Sequence, residues 1–282
     1  MLTRDTWLAR HPYLRPVADL DASVHEALST IGITPAAALN FDTYRADYKS
    51  GVPLLHSSAL QFDAERLTDF LMELLRKVSL RSGADELASE CRFLHAQFSA
   101  DRESAPRAVA ALLQQTEATD GQLGSLRYLA WKVLRVYFAQ ILRAFDDWRP
   151  EDQWLLSYCP ACASLPTMAQ LTGREPGRMR HLHCPCCGTR WRFRRTGCPF
   201  CERTDDHRLS VIAIEGEGGL RLDACESCNG YLKTYDGEGN EALFFSDWAS
   251  LHLDVLAQDR QLVCMGIPIF DIAALARTAE HA

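Results

Sequence analysis

The chain has 282 residues, of which 47% are hydrophobic, a formal net charge of −7 and eleven cysteines. That length accommodates two domains, and the hydrophobic share is ordinary for a globular protein. The acidic balance argues against a generic nucleic-acid binder, which is usually basic. No run of about 18 apolar residues is present, so no membrane span is expected. The N-terminal stretch MLTRDTWLARHPYL lacks the apolar core of a signal peptide.

Residues 1–150 read as helices. Pro16 suits the first position of a helix with Val17, Leu20, Val24, Leu28 and Ile31 on its apolar side and Gly32 at its end. Thr34-Pro35 reads as the cap and start of a second helix running to about Lys49. A loop, SGVPLLHSSAL, follows at 50–60. Asp63 then caps an amphipathic helix with Leu67, Phe70, Leu71, Leu74, Leu75 and Val78 on one face. Gly83 separates it from a helix aligning Leu87, Cys91, Leu94 and Phe98, where Cys91 reads as a buried core thiol. Ser104 and Pro106 open a short helix to about Glu117. The segment Gly121–Phe145 is apolar around most of its circumference, which predicts one long helix through the middle of a helical domain.

Beyond 150 the pattern changes to short strands and tight turns. Leu165–Leu171 and Met179–His183 suggest a hairpin around GREPG at 173–177. Thr189–Arg195 alternates strongly, and Leu209–Ile214 and Leu220–Ala224 flank GEGG at 216–219. Tyr231–Tyr235 is a further strand. Ser246 reads as the cap of a helix to about Gln258. The tail CMGIPIF at 264–270 is expected to pack back on the body, because free Ile-Pro-Ile-Phe is costly in water; a weak helical end follows it.

Ten of the eleven cysteines lie in this half, and eight of them form C-x-x-C pairs: Cys159/Cys162, Cys184/Cys187, Cys198/Cys201 and Cys225/Cys228. Two intervening residues let both sulfurs reach one tetrahedral ion while backbone N–H groups point at them. The residue after a pair favours positive φ, which suits Gly188 and Asn229 but fits Ala163 and Glu202 less well. Pro160, Pro185 and Pro199 stiffen three of the loops. Spans of 21 and 23 residues, Cys162 to Cys184 and Cys201 to Cys225, each suit a hairpin joining two knuckles; Cys187 and Cys198 are separated by only ten. This predicts two quartets in chain order, Cys159, Cys162, Cys184 and Cys187, then Cys198, Cys201, Cys225 and Cys228. A cross-braced pairing of first with third and second with fourth is the alternative. Nothing in the chain looks secreted, which disfavours disulfides, and a thioredoxin-like redox motif comes singly. Four thiolates suit iron and zinc equally. Eight thiolates bring −8 and two divalent ions +4, so the loaded chain carries about −11. Thiolate ligands fit a reducing compartment, and the cytoplasm is the simple reading.

Other residues invite attention. Seven arginines fall between 174 and 195, with Trp191 and Phe193 interleaved. This resembles a surface for single-stranded nucleic acid, but a strand with aromatics inward and arginines outward is preferred. The arginines could also meet an acidic partner. His181 and His183 precede Cys184, yet a full set of eight cysteines leaves them no vacancy. Cys186 reads as an incidental extra thiol. The chain contains no G-x-S-x-G, P-loop, H-E-x-x-H or G-x-G-x-x-G. Closed four-thiolate sites lack the open position of a catalytic metal, so no enzymatic activity is expected.

These residues resemble the formate dehydrogenase accessory protein family, FdhE. The likeness rests on CPAC at 159–162, HLHCPCCGTRW at 181–191, GCPFCE at 197–202 and ACESCNGYLKTYD at 224–236, with GVPLL at 51–55 and the tail around Pro268 and Phe270. The resemblance implies an α+β multidomain protein: a helical domain (1–150), two rubredoxin-like or zinc-ribbon subdomains (151–196 and 197–238) and a C-terminal helix and tail (239–282). It implies that all eight paired cysteines are metal ligands, with iron the family's associated metal. It further implies a cytoplasmic maturation factor needed for active formate dehydrogenase, contacting the catalytic subunit before export. Self-association is left open. The rivals are a rubredoxin-like electron carrier and a zinc-ribbon nucleic-acid binder.

Overall fold

The computed structural model describes residues 2–80, 86–101, 103–114, 123–174, 177–203, 208–217 and 219–270. The expected break at Gly83, the end of the helix begun at Ser104 and the weak helix after residue 270 lie outside the described residues. The chain forms two compact units. One comprises Asp19–Ala46 and Leu54–Trp148; the other comprises Met1–Ala18, Asp47–Pro53 and Arg149–Ala282.

The helical unit contains most of α2 (Arg15–Ser29) and α3 (Phe41–Lys49), with α4 (Ala64–Ser79), α5 (Glu86–Ala100), α6 (Ser104–Gln114), α7 (Leu123–Tyr137) and α8 (Ala139–Trp148). Asp63 caps α4 as expected, its carboxylate accepting from Arg66 N–H at 2.9 Å. Leu67, Leu71, Leu74, Leu75 and Val78 of α4 are buried, each worth about 1.5–3 kcal/mol on removal from water. Two expectations are corrected here. Helix α3 starts at Phe41, not near Thr34. Residues 33–40 run without helix, and Ala36 N–H donates instead to Tyr137 O at 2.9 Å. The long helix expected over 121–145 is interrupted at Phe138. The same contact explains it: the Tyr137 carbonyl accepts from Ala36, outside the helical ladder. Helix α7 nonetheless packs against α4, α5, α6 and α8, the central role its apolar surface predicts.

The other unit is built on one mixed sheet. Its strands are β1 (Met168–Thr172), β2 (Met179–His183), β3 (Arg190–Phe193), β4 (Leu209–Ala213), β5 (Leu220–Cys225), β6 (Gly230–Asp236) and β7 (Val263–Cys264). The order is β3-β2-β1-β6-β5-β4, with β7 also on β6. β1–β2–β3 is one antiparallel ribbon and β4–β5–β6 another. They are fused by the parallel pair β1–β6, in which Met168 faces Lys233 and Leu171 faces Asp236. The ribbons are thus halves of one sheet, where the sequence suggested successive separate pieces. The short helices α9 (Glu241–Phe244) and α10 (Leu251–Asp259) follow; α10 starts five residues after the expected Ser246 cap.

Helix α1 (Arg4–Arg10) also belongs to this unit, so the division at residue 150 does not hold for the N-terminus. Trp7 is fully buried, and its indole N–H donates to Ala249 O at 3.0 Å. Leu2 N–H donates to Asn240 Oδ1 at 2.7 Å. The tail packs back as predicted, with Ile269 and Phe270 buried.

Candidate metal centres

Each C-x-x-C pair sits on a tight turn at a strand end. The first precedes β1, the second joins β2 to β3, the third follows β3 and the fourth joins β5 to β6. In three of them the backbone closes identically: Ala163 N–H donates to Cys159 O at 3.0 Å, Gly188 N–H to Cys184 O at 3.1 Å, and Glu202 N–H to Cys198 O at 3.0 Å. Inside these turns the N–H groups of Ala161, Cys187 and Phe200 point at the sulfurs of Cys159, Cys184 and Cys198, each at 3.4 Å. All four residues that follow a pair have positive φ: Ala163 66°, Gly188 79°, Glu202 57° and Asn229 56°. The poorer fit expected at Ala163 and Glu202 does not change the turn. Those two side chains are held in the left-handed region at roughly 1–2 kcal/mol each.

The structure gathers the eight sulfurs into the two chain-order quartets, and the cross-braced alternative is not adopted. Cys159 and Cys187 sulfurs lie 3.5 Å apart, Cys162 and Cys184 3.4 Å, Cys198 and Cys228 3.7 Å, and Cys201 and Cys225 3.8 Å. Four sulfurs at about 2.3 Å from a shared centre stand about 3.8 Å apart in a tetrahedron. Disulfides need about 2.05 Å, and all eleven cysteines are free thiols. The quartets therefore fit a tetrahedral thiophilic ion.

Their electrostatics point the same way. Burial drives the Cys159, Cys162 and Cys187 thiols well above the ordinary range. Burial pushes Cys184 up as well, but hydrogen bonds from Cys159, Cys162 and Cys187 outweigh it and bring that thiol well below. In the second quartet burial pushes Cys198 up to about 12 and raises Cys228. Cys225, also pushed up by burial, ends lowered because the N–H groups of Ser227 and Cys228 favour its thiolate. The surroundings thus favour the thiolates of Cys184 and Cys225, while Cys159, Cys162, Cys187, Cys198 and Cys228 need the cation that would make four thiolates tolerable.

The two quartets differ in exposure. Cys159, Cys162, Cys184 and Cys187 are all buried, whereas Cys201 and Cys228 of the second are half-buried. Ser164 and Thr189 hydroxyls lie 3.2 Å from the sulfurs of Cys162 and Cys187. A cavity of about 260 Å³ adjoins the second quartet, lined in part by Cys198, Cys225, Arg180, Arg221, Phe200 and Val211.

The remaining candidates fall outside the quartets. His181 and His183 are buried in β2, the latter stacked on Phe245 with ring centroids 4.5 Å apart. Cys186 and Cys91 are buried. Trp191 and Phe193 point inward, while Arg192, Arg194 and Arg195 are exposed, the inward-aromatic arrangement preferred from the sequence. Among the described residues, no helix is long and apolar enough to cross a membrane.

Residues 158–195 match the family model described as FdhE, central domain. Curated relatives carry the name Protein FdhE homolog. That of Aquifex aeolicus is 30% identical over 132 residues, 45% of this chain and 47% of the relative. That of Stutzerimonas stutzeri is 33% identical over 146 residues, 49% and 44%. That of Pseudomonas aeruginosa is 36% identical over 115 residues, 37% and 36%. The chain spans about half the length of the first of these relatives. The crystal structure of the FdhE protein from Pseudomonas aeruginosa shares the fold, with a TM-score of 0.61 and 21% identity over 92% of this chain and 88% of that one.

Proposed function

We propose that this chain, a member of the FdhE family, is a non-enzymatic accessory factor for formate dehydrogenase. It would act in the cytoplasm by binding the catalytic subunit before that subunit is exported. The observation that carries the reading is the pair of four-sulfur clusters fused into one sheet within an FdhE-type fold. Cys159, Cys162, Cys184 and Cys187 would hold one divalent ion and Cys198, Cys201, Cys225 and Cys228 a second, iron or zinc. Such ions supply charge neutralisation and cross-linking: apparent binding energies of about 10–16 kcal/mol per structural zinc become folding energy. The chain's part is to hold eight sulfurs in place and present a stiff surface whose exposed Arg192, Arg194 and Arg195 favour an acidic patch on the partner.

The test is capture of the formate dehydrogenase catalytic subunit by the full chain, in parallel with a Cys184→Ala/Cys187→Ala variant. Capture by the parent and its loss in the variant is the expected result. Equal capture by both would remove the ribbons from recognition, and no capture by either would remove the partner.

A second reading, electron transfer, draws on one observation: the half-buried Cys201 and Cys228 bring the second quartet near solvent. It requires iron, and a visible spectrum that bleaches reversibly with dithionite. A colourless protein made under iron-replete anaerobic conditions would dispose of it.

A further inference from the structure

Three residues outside the thiolate sites converge on one point. His11 follows α1, Glu217 lies in the turn between β4 and β5, and His252 is in the first turn of α10. The His11 Nε2 lies 2.9 Å from Glu217 Oε1, and the His252 Nε2 lies 2.9 Å from Glu217 Oε2. Both imidazoles and the carboxylate are largely buried, with side chains 5%, 12% and 13% exposed. Their ligand atoms all fall within 4.8 Å of one another.

The orientation of the His11 ring is fixed through its other nitrogen. The Nδ1 of His11 is 3.1 Å from Trp7 O, the same carbonyl that accepts the His11 backbone N–H at 2.9 Å. Trp7 O can only accept, so Nδ1 carries the proton. Nε2 is left facing Glu217 Oε1, and a cation fits between the two atoms: a proton, as in a histidine–carboxylate ion pair, or a metal ion shared with Glu217. A ring whose far nitrogen donates to a backbone carbonyl is the usual orientation of a metal-bound histidine. Here His252 supplies a second imidazole to the same carboxylate. Its ring is held by packing, 4.9 Å from that of His11 and 6.0 Å from that of Trp7. Two imidazoles and one carboxylate are also a donor set that binds zinc while leaving a position open. Metal–ligand bonds of about 2.0–2.2 Å meeting at about 90–110° put donor atoms about 2.8–3.6 Å apart, which includes the 2.9 Å observed.

We propose that His11, Glu217 and His252 form a third metal site, distinct in chemistry from the thiolate quartets, for a divalent transition ion of the zinc class. Three borderline donors with an open position hold the ion less tightly than four thiolates, so the site is exchangeable. It also ties the segment after α1 to the β4–β5 turn and to α10, three pieces of chain far apart in sequence.

The test uses the full chain with its thiolate sites loaded, dialysed against zinc chloride at neutral pH, with metal counted per chain. One equivalent beyond the thiolate-bound ions is expected. Brief treatment with a mild chelator should remove that equivalent alone, while the thiolate ions leave only after the sulfurs are blocked with an organomercurial. His252→Gln and Glu217→Gln should each lose the extra equivalent and keep the thiolate ions. No extra equivalent in the parent at zinc up to about 100 μM, a weak-binding limit, would overturn the proposal, as would its retention in both variants. If a variant loses the near-UV circular dichroism of the parent, the parent itself decides through cobalt(II). The extra equivalent should show visible d–d bands without sulfur-to-metal charge transfer; charge transfer there would place the ion on cysteine and refute the assignment. The count of thiolate-bound ions is read from the same samples, so failure of those sites and failure of this one are told apart.

Discussion

The strongest stability test lies under the sheet, at Lys233. Its ammonium is 3% exposed and donates to Asp254 Oδ2 at 2.7 Å; Asp254, 2% exposed, also accepts from Tyr231 OH at 2.7 Å. Burial alone would lower the Lys233 pKa, but the Asp254 carboxylate outweighs it and holds the ammonium above its usual range. Asp254→Asn keeps the shape and removes the charge. Breaking such a buried pair costs about 3–5 kcal/mol. The stranded lysine has one escape, shedding its proton. From an unfolded pKa of about 10.4 that costs about 4.6 kcal/mol at pH 7, at 1.36 kcal/mol per unit. The penalty is therefore about 3–4.6 kcal/mol, a large part of an ordinary domain stability of about 5–15 kcal/mol. With a urea m-value of about 2 kcal/mol/M, the midpoint falls by about 1.5–2.3 M. The sign with pH follows from linkage. In the variant the folded lysine binds its proton less tightly than the unfolded one, so the variant regains stability as pH rises towards 10.4. The penalty should shrink to about 2 kcal/mol at pH 9. Urea unfolding followed by tryptophan fluorescence at pH 7 and pH 9, parent beside variant, measures both. A midpoint shift under about 0.3 M at pH 7, or a penalty unchanged at pH 9, would refute this account of the pair.

Three further outcomes are expected. Organomercurial titration of protein already cleared of its exchangeable ion should release the thiolate-bound metal in two phases of equal amplitude, the second quartet first because Cys201 and Cys228 are half-buried while the first quartet is enclosed; Cys198→Ser should abolish the fast phase and Cys184→Ser the slow one. Ala163→Gly and Glu202→Gly relieve a left-handed backbone at φ 66° and 57°, and should each raise the unfolding midpoint by an amount equivalent to about 0.5–1 kcal/mol. Tyr231→Phe removes a hydrogen bond to a buried carboxylate and should cost about 1.5–3 kcal/mol in the same urea assay.

What the sequence disclosed depended on how local each signal was. The C-x-x-C spacing places two sulfurs on one turn, so the knuckles and their chain-order pairing were legible. The apolar stripe of α4 was legible because its period matches one helix face. The start of α3 was not, because Ala36 is drawn away by Tyr137, about a hundred residues further on. The same long-range contact hid the break at Phe138. Fusion of the ribbons through β1 and β6 was equally out of reach: a parallel pair leaves no turn to read. Tyr231 and Lys233 were visible as part of a motif, but Asp254, which explains their alternation on one strand face, lies in a helix more than twenty residues away. His11, Glu217 and His252 had no pattern at all, being assembled by three distant elements.

The fused sheet also changes the meaning of the arginine run. Read along the sequence, seven arginines between 174 and 195 look like one cationic surface. In the structure Arg180 is buried; its guanidinium donates to Gly197 O at 3.0 Å and lies 3.8 Å from Asp223 of β5. Arg178 donates to Asp236 of β6 at 2.9 Å. These two arginines of the first ribbon therefore satisfy groups at the start and in the strands of the second, across the β1–β6 seam. Only part of the run, including Arg192, Arg194 and Arg195, is left to face outward. A β unit as small as one three-stranded ribbon needs a staple to hold its shape. Two four-sulfur sites, a shared strand pair and the arginine contacts across it supply that staple jointly, so the mechanical unit is the whole sheet rather than either ribbon.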